Sequence, residues 1–130
     1  MKYLLDVNAS IAYGFRQHDR HEHVARWMQS SSSDQFLTCS ITELGFVRVL
    51  GNVRAYGMDV MRARDLLLEL KRAIALPLEF IYDTRDVSSL PDWVQAPGQT
   101  TDGHLLELAK AHGAVLATLG KSIPGAFLVP

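Results

Sequence analysis

The chain opens with Lys2-Tyr3-Leu4-Leu5-Asp6-Val7-Asn8. Apolar residues ended by a carboxylate read as a short buried strand over residues 2–6. Ile11, Ala12 and Phe15 follow at helical spacing, so residues 8–15 read as a helix. A strand that stops at an acid and gives way to a helix is the building unit of an α/β domain.

The alternation continues outward from this start. Val24, Trp27 and Met28 mark a helix over about residues 19–29, and the small polar run 30–34 marks a loop. Phe36-Leu37-Thr38-Cys39 reads as a second strand. Ser40-Ile41-Thr42-Glu43 has the form of a capping box and opens a helix that stops near Gly51-Asn52. Val60, Ala63, Leu67, Leu70 and Ile74 step by three and four, predicting an amphipathic helix from residue 59 to about 75. Pro77 stops it, and residues 78–82 read as a third strand. Residues 83–99 form a long connection with one turn of helix. Thr100 and Thr101 cap a helix that bears Leu105, Leu108 and Ala109 and closes at Gly113. Residues 114–119 and 126–129 complete the strands. With no repeat or linker, the pattern predicts one α/β domain over residues 1–130 with a mainly parallel sheet.

Composition narrows the class. At 130 residues, 48% apolar and 21% charged, the chain is long enough for one core and too apolar to be disordered. No apolar run approaches the roughly 18–20 residues of a membrane span. The early Asp6 interrupts what would have to be the uncharged region of a secretory signal. Cys39 is the only cysteine and forms no internal disulfide, which fits a reducing cytoplasm. A net charge of −1 gives no global attraction to nucleic acid. Locally, Arg48, Arg54, Arg62, Arg64, Lys71 and Arg72 outnumber Asp59, Asp65 and Glu69. They read either as a surface for a phosphate backbone or as a solvated helix face with its own ion pairs.

In parallel sheets the functional crevice lies beyond the carboxyl ends of the strands. Three acids approach that edge from different segments: Asp6 after the first strand, Glu43 after the second and Asp102 before the fourth. Gathered carboxylates repel, and a hard divalent cation relieves the repulsion. Mg²⁺ suits one or two carboxylates with waters and phosphate oxygens, a site suited to phosphodiester hydrolysis. Each acid also has a structural reading. Asp6 can cap the following helix, Glu43 can complete the capping box, and Asp102 can favour a helix dipole. Glu43 shares a stripe with Phe46, Val47 and Leu50, where a carboxylate needs a partner. His21 and His23 fall on different sides of a helix, His104 and His112 read as surface residues, and Cys39 as a buried strand residue. No glycine-rich nucleotide fingerprint follows a strand.

Leu4-Leu5-Asp6-Val7-Asn8, the segment from Ile41 to Leu50, Thr101-Asp102 and Leu116-Ala117-Thr118 resemble, in order, the motifs of PIN-domain proteins. With His23-Val24-Ala25-Arg26-Trp27 they look most like VapC-type toxins of bacterial toxin–antitoxin pairs. The resemblance spans nearly the whole chain. It implies a Rossmann-like α/β/α sandwich acting as a Mg²⁺- or Mn²⁺-dependent endoribonuclease on RNA. It implies metal-binding and catalytic roles for Asp6, Glu43 and Asp102, with Asn8, Thr101 and Thr118 as supporting polar groups. It also implies a homodimer held inactive by a cognate antitoxin, and Trp27, Trp93 and Met58 read as exposed apolar residues for such contacts. One departure stands out: Gly120 occupies the position of a fourth acid. A weakened domain that mainly binds antitoxin or RNA is therefore one rival; another is a receiver-like phosphoacceptor domain using Lys121.

Overall fold

The computed structural model describes residues 1–31, 33–120 and 122–130. Its strands are β1 (Lys2–Leu5), β2 (Gln35–Thr38), β3 (Leu78–Phe80), β4 (Val115–Thr118) and β5 (Phe127–Leu128). Its α-helices are α1 (Val7–Gly14), α2 (His21–Ser30), α3 (Ser40–Leu50), α4 (Val53–Tyr56), α5 (Val60–Lys71) and α6 (Thr100–Ala111). All strand pairs are parallel, in the order β3-β2-β1-β4-β5.

β1 is central because it is apolar on both faces, as a parallel strand covered by helices on both sides must be. Tyr3 and Leu5 join Ala12, Val24, Met28, Phe46, Leu50 and Leu67 beneath α1, α2, α3 and α5. Leu4 points the other way and joins Leu37, Leu116, Leu105 and Leu108 beneath α6. Alternate residues of one strand thus feed two cores, and the result is an α/β/α sandwich. No helix is long and apolar enough to cross a membrane among the described residues.

Several local expectations shift. Cys39, not Ser40, is the N-cap of α3, and Ser40 is its first helical residue, so the capping box is absent. Asn52 does more than stop α3: its side chain accepts from Ala55 N at 3.1 Å and starts the short α4, which had no apolar period to announce it. Asp59 caps α5 through Arg62 N at 2.8 Å. α5 ends at Lys71, and Ile74 lies fully exposed beyond it. The chain must run back from there to begin β3, which ends the helical period early. Gln99 precedes α6, placing Thr100 and Thr101 inside its first turn. Residues 83–99 hold two short 3₁₀ turns, Val87–Ser89 and Pro97–Gln99, instead of one helical turn. Trp27 is buried, edge-on to Tyr3 and Phe36 and stacked on Phe127, while Trp93 and Met58 are half-buried. Lys121 lies outside the described residues.

α1 and α3 pack closely where Gly45 faces Val7. A Cβ at Gly45 would sit 2.5 Å from Val7 Cγ2 and 3.0 Å from Cγ1. Overpacking of this kind costs about 1–3 kcal/mol, against a helix-propensity gain of about 1 kcal/mol for alanine. We therefore expect Gly45→Ala to lose up to about 2 kcal/mol in urea unfolding. Adding Val7→Ala should recover part of that loss; an unchanged midpoint for Gly45→Ala would show that the helices can separate freely.

Candidate metal and active site

The backbone ladder of β1 runs one residue past the strand, with Asp6 N donating to Ala117 O at 3.1 Å. Asp6 then turns the chain into α1, and its Oδ1 accepts from Ala9 N at 2.7 Å. The structural reading of Asp6 as a helix cap therefore holds for one oxygen. The carboxylate is nonetheless only 5% exposed. Burial raises its pKa above the ordinary 3.8; hydrogen bonds from Thr118 and Ala9 N oppose the rise, and the nearby Asp102 carboxylate adds to it. Asp102, in the first turn of α6, is also raised by burial. Burial thus opposes the ionisation of both carboxyl groups, and the charge of one acts on the other.

Their location follows from topology. The chain proceeds from β1 outward through β2 to β3, then returns to lay β4 on the other side of β1. Asp6 and Thr118 therefore end the two strands that flank the reversal of strand order, where such sheets open a crevice. The Thr118 hydroxyl, which hydrogen-bonds Asp6, also accepts from Gly120 N at 3.0 Å. Gly120 has no positive φ, and a Cβ there would meet only Thr118 Oγ1, at 3.6 Å. Neither conformation nor space requires glycine at this position. Asn8 and Thr101, at the starts of α1 and α6, are exposed at the same edge.

Glu43 is placed differently. Thr42 fixes the start of α3 to β1 by donating to Leu5 O at 3.0 Å, with Cys39 Sγ donating to Thr42 Oγ1 at 3.5 Å. The next side chain, Glu43, receives both contacts of Lys71 Nζ, at 2.9 and 3.2 Å. Lys71 also lies 5.0 Å from the centre of the Phe80 ring. Of the basic residues that suggested a phosphate-binding surface, Lys71 is thus already paired; Arg48, Arg54, Arg62 and Arg72 remain exposed. Among the described residues no three His, Cys, Asp or Glu side chains gather to hold a metal ion. The Asp102 carboxylate is near enough for its charge to act on Asp6, whereas Glu43 is paired with Lys71.

The donor set still fits a hard divalent cation, since Mg²⁺ is commonly bound by one or two carboxylates with water completing its shell. The histidines lie elsewhere. His104 pairs with Asp83, and His112 Nε2 meets Tyr82 O at 2.9 Å, so both tie α6 to the chain after β3 and neither is a free surface residue. Burial raises the Asp83 pKa, but Arg85 N and His104 outweigh it and hold the group below its ordinary value. His21 Nδ1 lies 2.8 Å from Ala12 O and joins α2 to α1. The sequence held no sign of the Lys71 and Asp83 contacts, because each joins segments far apart in the chain.

Residues 3–125 match the family model of the PIN domain. The chain belongs to the PIN-domain family. A curated relative, ribonuclease VapC38 of Mycobacterium tuberculosis, is 35% identical over 125 residues, covering 92% of this chain and 86% of that protein. Ribonuclease VapC44 of the same organism is 32% identical over 129 residues, covering 95% and 89%. These relatives group this PIN domain with VapC-type toxins. Solved structures agree in fold. VapBC2 of Rickettsia felis, bound to a DNA fragment from its promoter, matches with a TM-score of 0.63 and 16% identity, over 98% of this chain and 97% of that one. VapC20 of M. tuberculosis, a Sarcin-Ricin loop cleaving toxin, matches at 0.59 and 12%, over 92% and 89%.

The raised acids of this PIN domain have a consequence for stability. A carboxyl whose pKa is raised by folding favours the fold below its unfolded value of about 3.8 and loses that contribution as pH rises through the folded value. Asp6→Asn removes the charge while keeping an oxygen to cap α1. In EDTA the variant should melt a few degrees above the parent at pH 7, and the gap should close near pH 4. Equal melting temperatures at pH 7, measured by circular dichroism, would show that the Asp6 charge is not strained.

Proposed function

We propose that this PIN domain is a divalent-cation-dependent endoribonuclease toxin of a type II toxin–antitoxin pair. The observation that carries the reading is the pair of desolvated carboxyl groups, Asp6 and Asp102, at the β1/β4 reversal. Asp6 and Asp102 would hold Mg²⁺ or Mn²⁺, and Glu43, the third acid expected from the sequence, would join them only on release from Lys71. Bound there, the ion would supply charge neutralisation at the scissile phosphate and a water of lowered pKa.

The chain's own groups prepare that chemistry. The Ala9 amide and the Thr118 hydroxyl hold the Asp6 carboxylate in one orientation, so ligand reorganisation is small. Burial removes competing water and strengthens the attraction of the two acids for a cation. The exposed Arg48, Arg54, Arg62 and Arg72 offer charge to an RNA backbone without reading its sequence. The cytoplasm is where such a substrate is met.

An antitoxin partner has a fitting surface. A cavity of about 390 Å³ is lined by Phe15, Tyr56, Met58 and Leu66 with Arg16 and Arg62 at hand, an apolar floor with cationic flanks. Val53, Val60 and Met61 are exposed and offer apolar area to a second copy. The rival reading, a weakened domain that chiefly binds antitoxin or RNA, is favoured by Gly120 alone.

Two measurements test these readings. Purified protein should cleave RNA in Mg²⁺ or Mn²⁺ and stop in EDTA, and Asp6→Asn or Asp102→Asn should lower cleavage by orders of magnitude. Cleavage equal in EDTA and in Mg²⁺ would contradict the mechanism. Gly120→Asp, which the local space admits, should tighten Mn²⁺ binding and raise cleavage by about 10–100-fold if a carboxylate there joins the site. No change in either quantity would make Gly120 a turn residue only.

A further inference from the structure

The pairing of Glu43 goes beyond a surface contact. Both side chains are only 21% exposed, so the pair is partly withdrawn from water. Lys71 Nζ reaches both carboxylate oxygens, at 2.9 and 3.2 Å, leaving no oxygen of Glu43 without a cation at close range. Phe80 supports the ammonium from another direction, at 5.0 Å from the ring centre, and is itself edge-on to Tyr82 at 5.4 Å. Lys71 is the last residue of α5, which packs along α3, so the fold delivers this ammonium to the level of the first turn of α3. Asp102 is the acid whose charge acts on Asp6. The acidic edge is therefore divided into a repelling pair and a neutralised one.

We propose that Lys71 is a positioning residue that withholds Glu43 from the cation and so lowers the cation affinity of the site. This inference rests on the reading of Asp6 and Asp102 as cation ligands. At a two-carboxylate site, a third carboxylate could join only by leaving Lys71. Leaving would strand an ammonium over Phe80 in partly desolvated surroundings, which is costly. The cation thus competes with a built-in lysine for the third acid. Since Gly120 supplies no carboxylate, the resting site is left with two acids, and the Lys71–Glu43 pair contributes no net charge to it.

The test is Mn²⁺ binding to the whole chain, followed by isothermal titration calorimetry without RNA. Lys71→Met keeps an unbranched apolar stem against Phe80 and frees Glu43; it should tighten Mn²⁺ by about tenfold. Lys71→Arg keeps the counter-charge and should bind as the parent does. Should the unpaired Glu43 destabilise Lys71→Met, the double variant Lys71→Met/Glu43→Gln, which replaces the pair by neutral groups of similar shape, remains informative. Its affinity should stay within about twofold of the parent, because Glu43 contributes little while held. Lys71→Met binding no tighter than the parent, or the double variant losing about tenfold, would overturn the proposal. Asp6→Asn separates the two levels: loss of Mn²⁺ binding there supports the underlying site, whereas unchanged binding contradicts the site and the role of Lys71 together.

Discussion

The buried charge of Asp6 is the constraint around which this fold is arranged. A carboxylate at the end of a central strand, 5% exposed, would be costly without compensation. The fold compensates in part, through the Ala9 amide and the Thr118 hydroxyl, and then adds the like charge of Asp102. Burial therefore disfavours the charged form of this residue. A chain selected only for stability would place an asparagine or serine at this cap, since either satisfies the helix amide without the charge. Strain of this kind is common at functional sites, where stability is given up for chemistry.

Everything that positions Asp6 also positions its partners. β1 is apolar on both faces, so it is central and its end is fixed by β2 and β4. Thr42 binds Leu5 O and fixes the start of α3. Gly45 lets α3 approach Val7 of α1. α5 then packs on α3 and brings Lys71 to Glu43. The charge pattern of the edge is therefore a product of helix packing: one pair of acids repelling, one acid neutralised. The two differ in charge, since the first keeps two like carboxylates and the second already has a cation in Lys71.

Much of this was legible in the residues. The run Tyr3-Leu4-Leu5 is apolar at every position, which marks a strand covered on both faces, and Asp6 closes it at the edge where sites form. The order of the motifs indicated the family that the comparisons establish. Glu43 on an apolar stripe announced that it needed a partner, but not which one. Lys71 lies 28 residues away, and only the packing of α5 on α3 makes it that partner. The end of α5 is not legible in the residues, because Ile74 continues the helical period although the chain has already left the helix. The burial of Trp27 is hidden for a different reason. Its helix has a narrow apolar stripe, and the aromatic neighbours that bury it, Tyr3, Phe36 and Phe127, come from three separate strands.

The most direct measurement is anomalous diffraction from crystals of the chain soaked in Mn²⁺. A manganese peak between the carboxylates of Asp6 and Asp102 is the predicted result, with Glu43 still on Lys71. No peak at that position under saturating Mn²⁺, or a peak at another group of side chains, would contradict the assignment of the β1/β4 edge as the cation site.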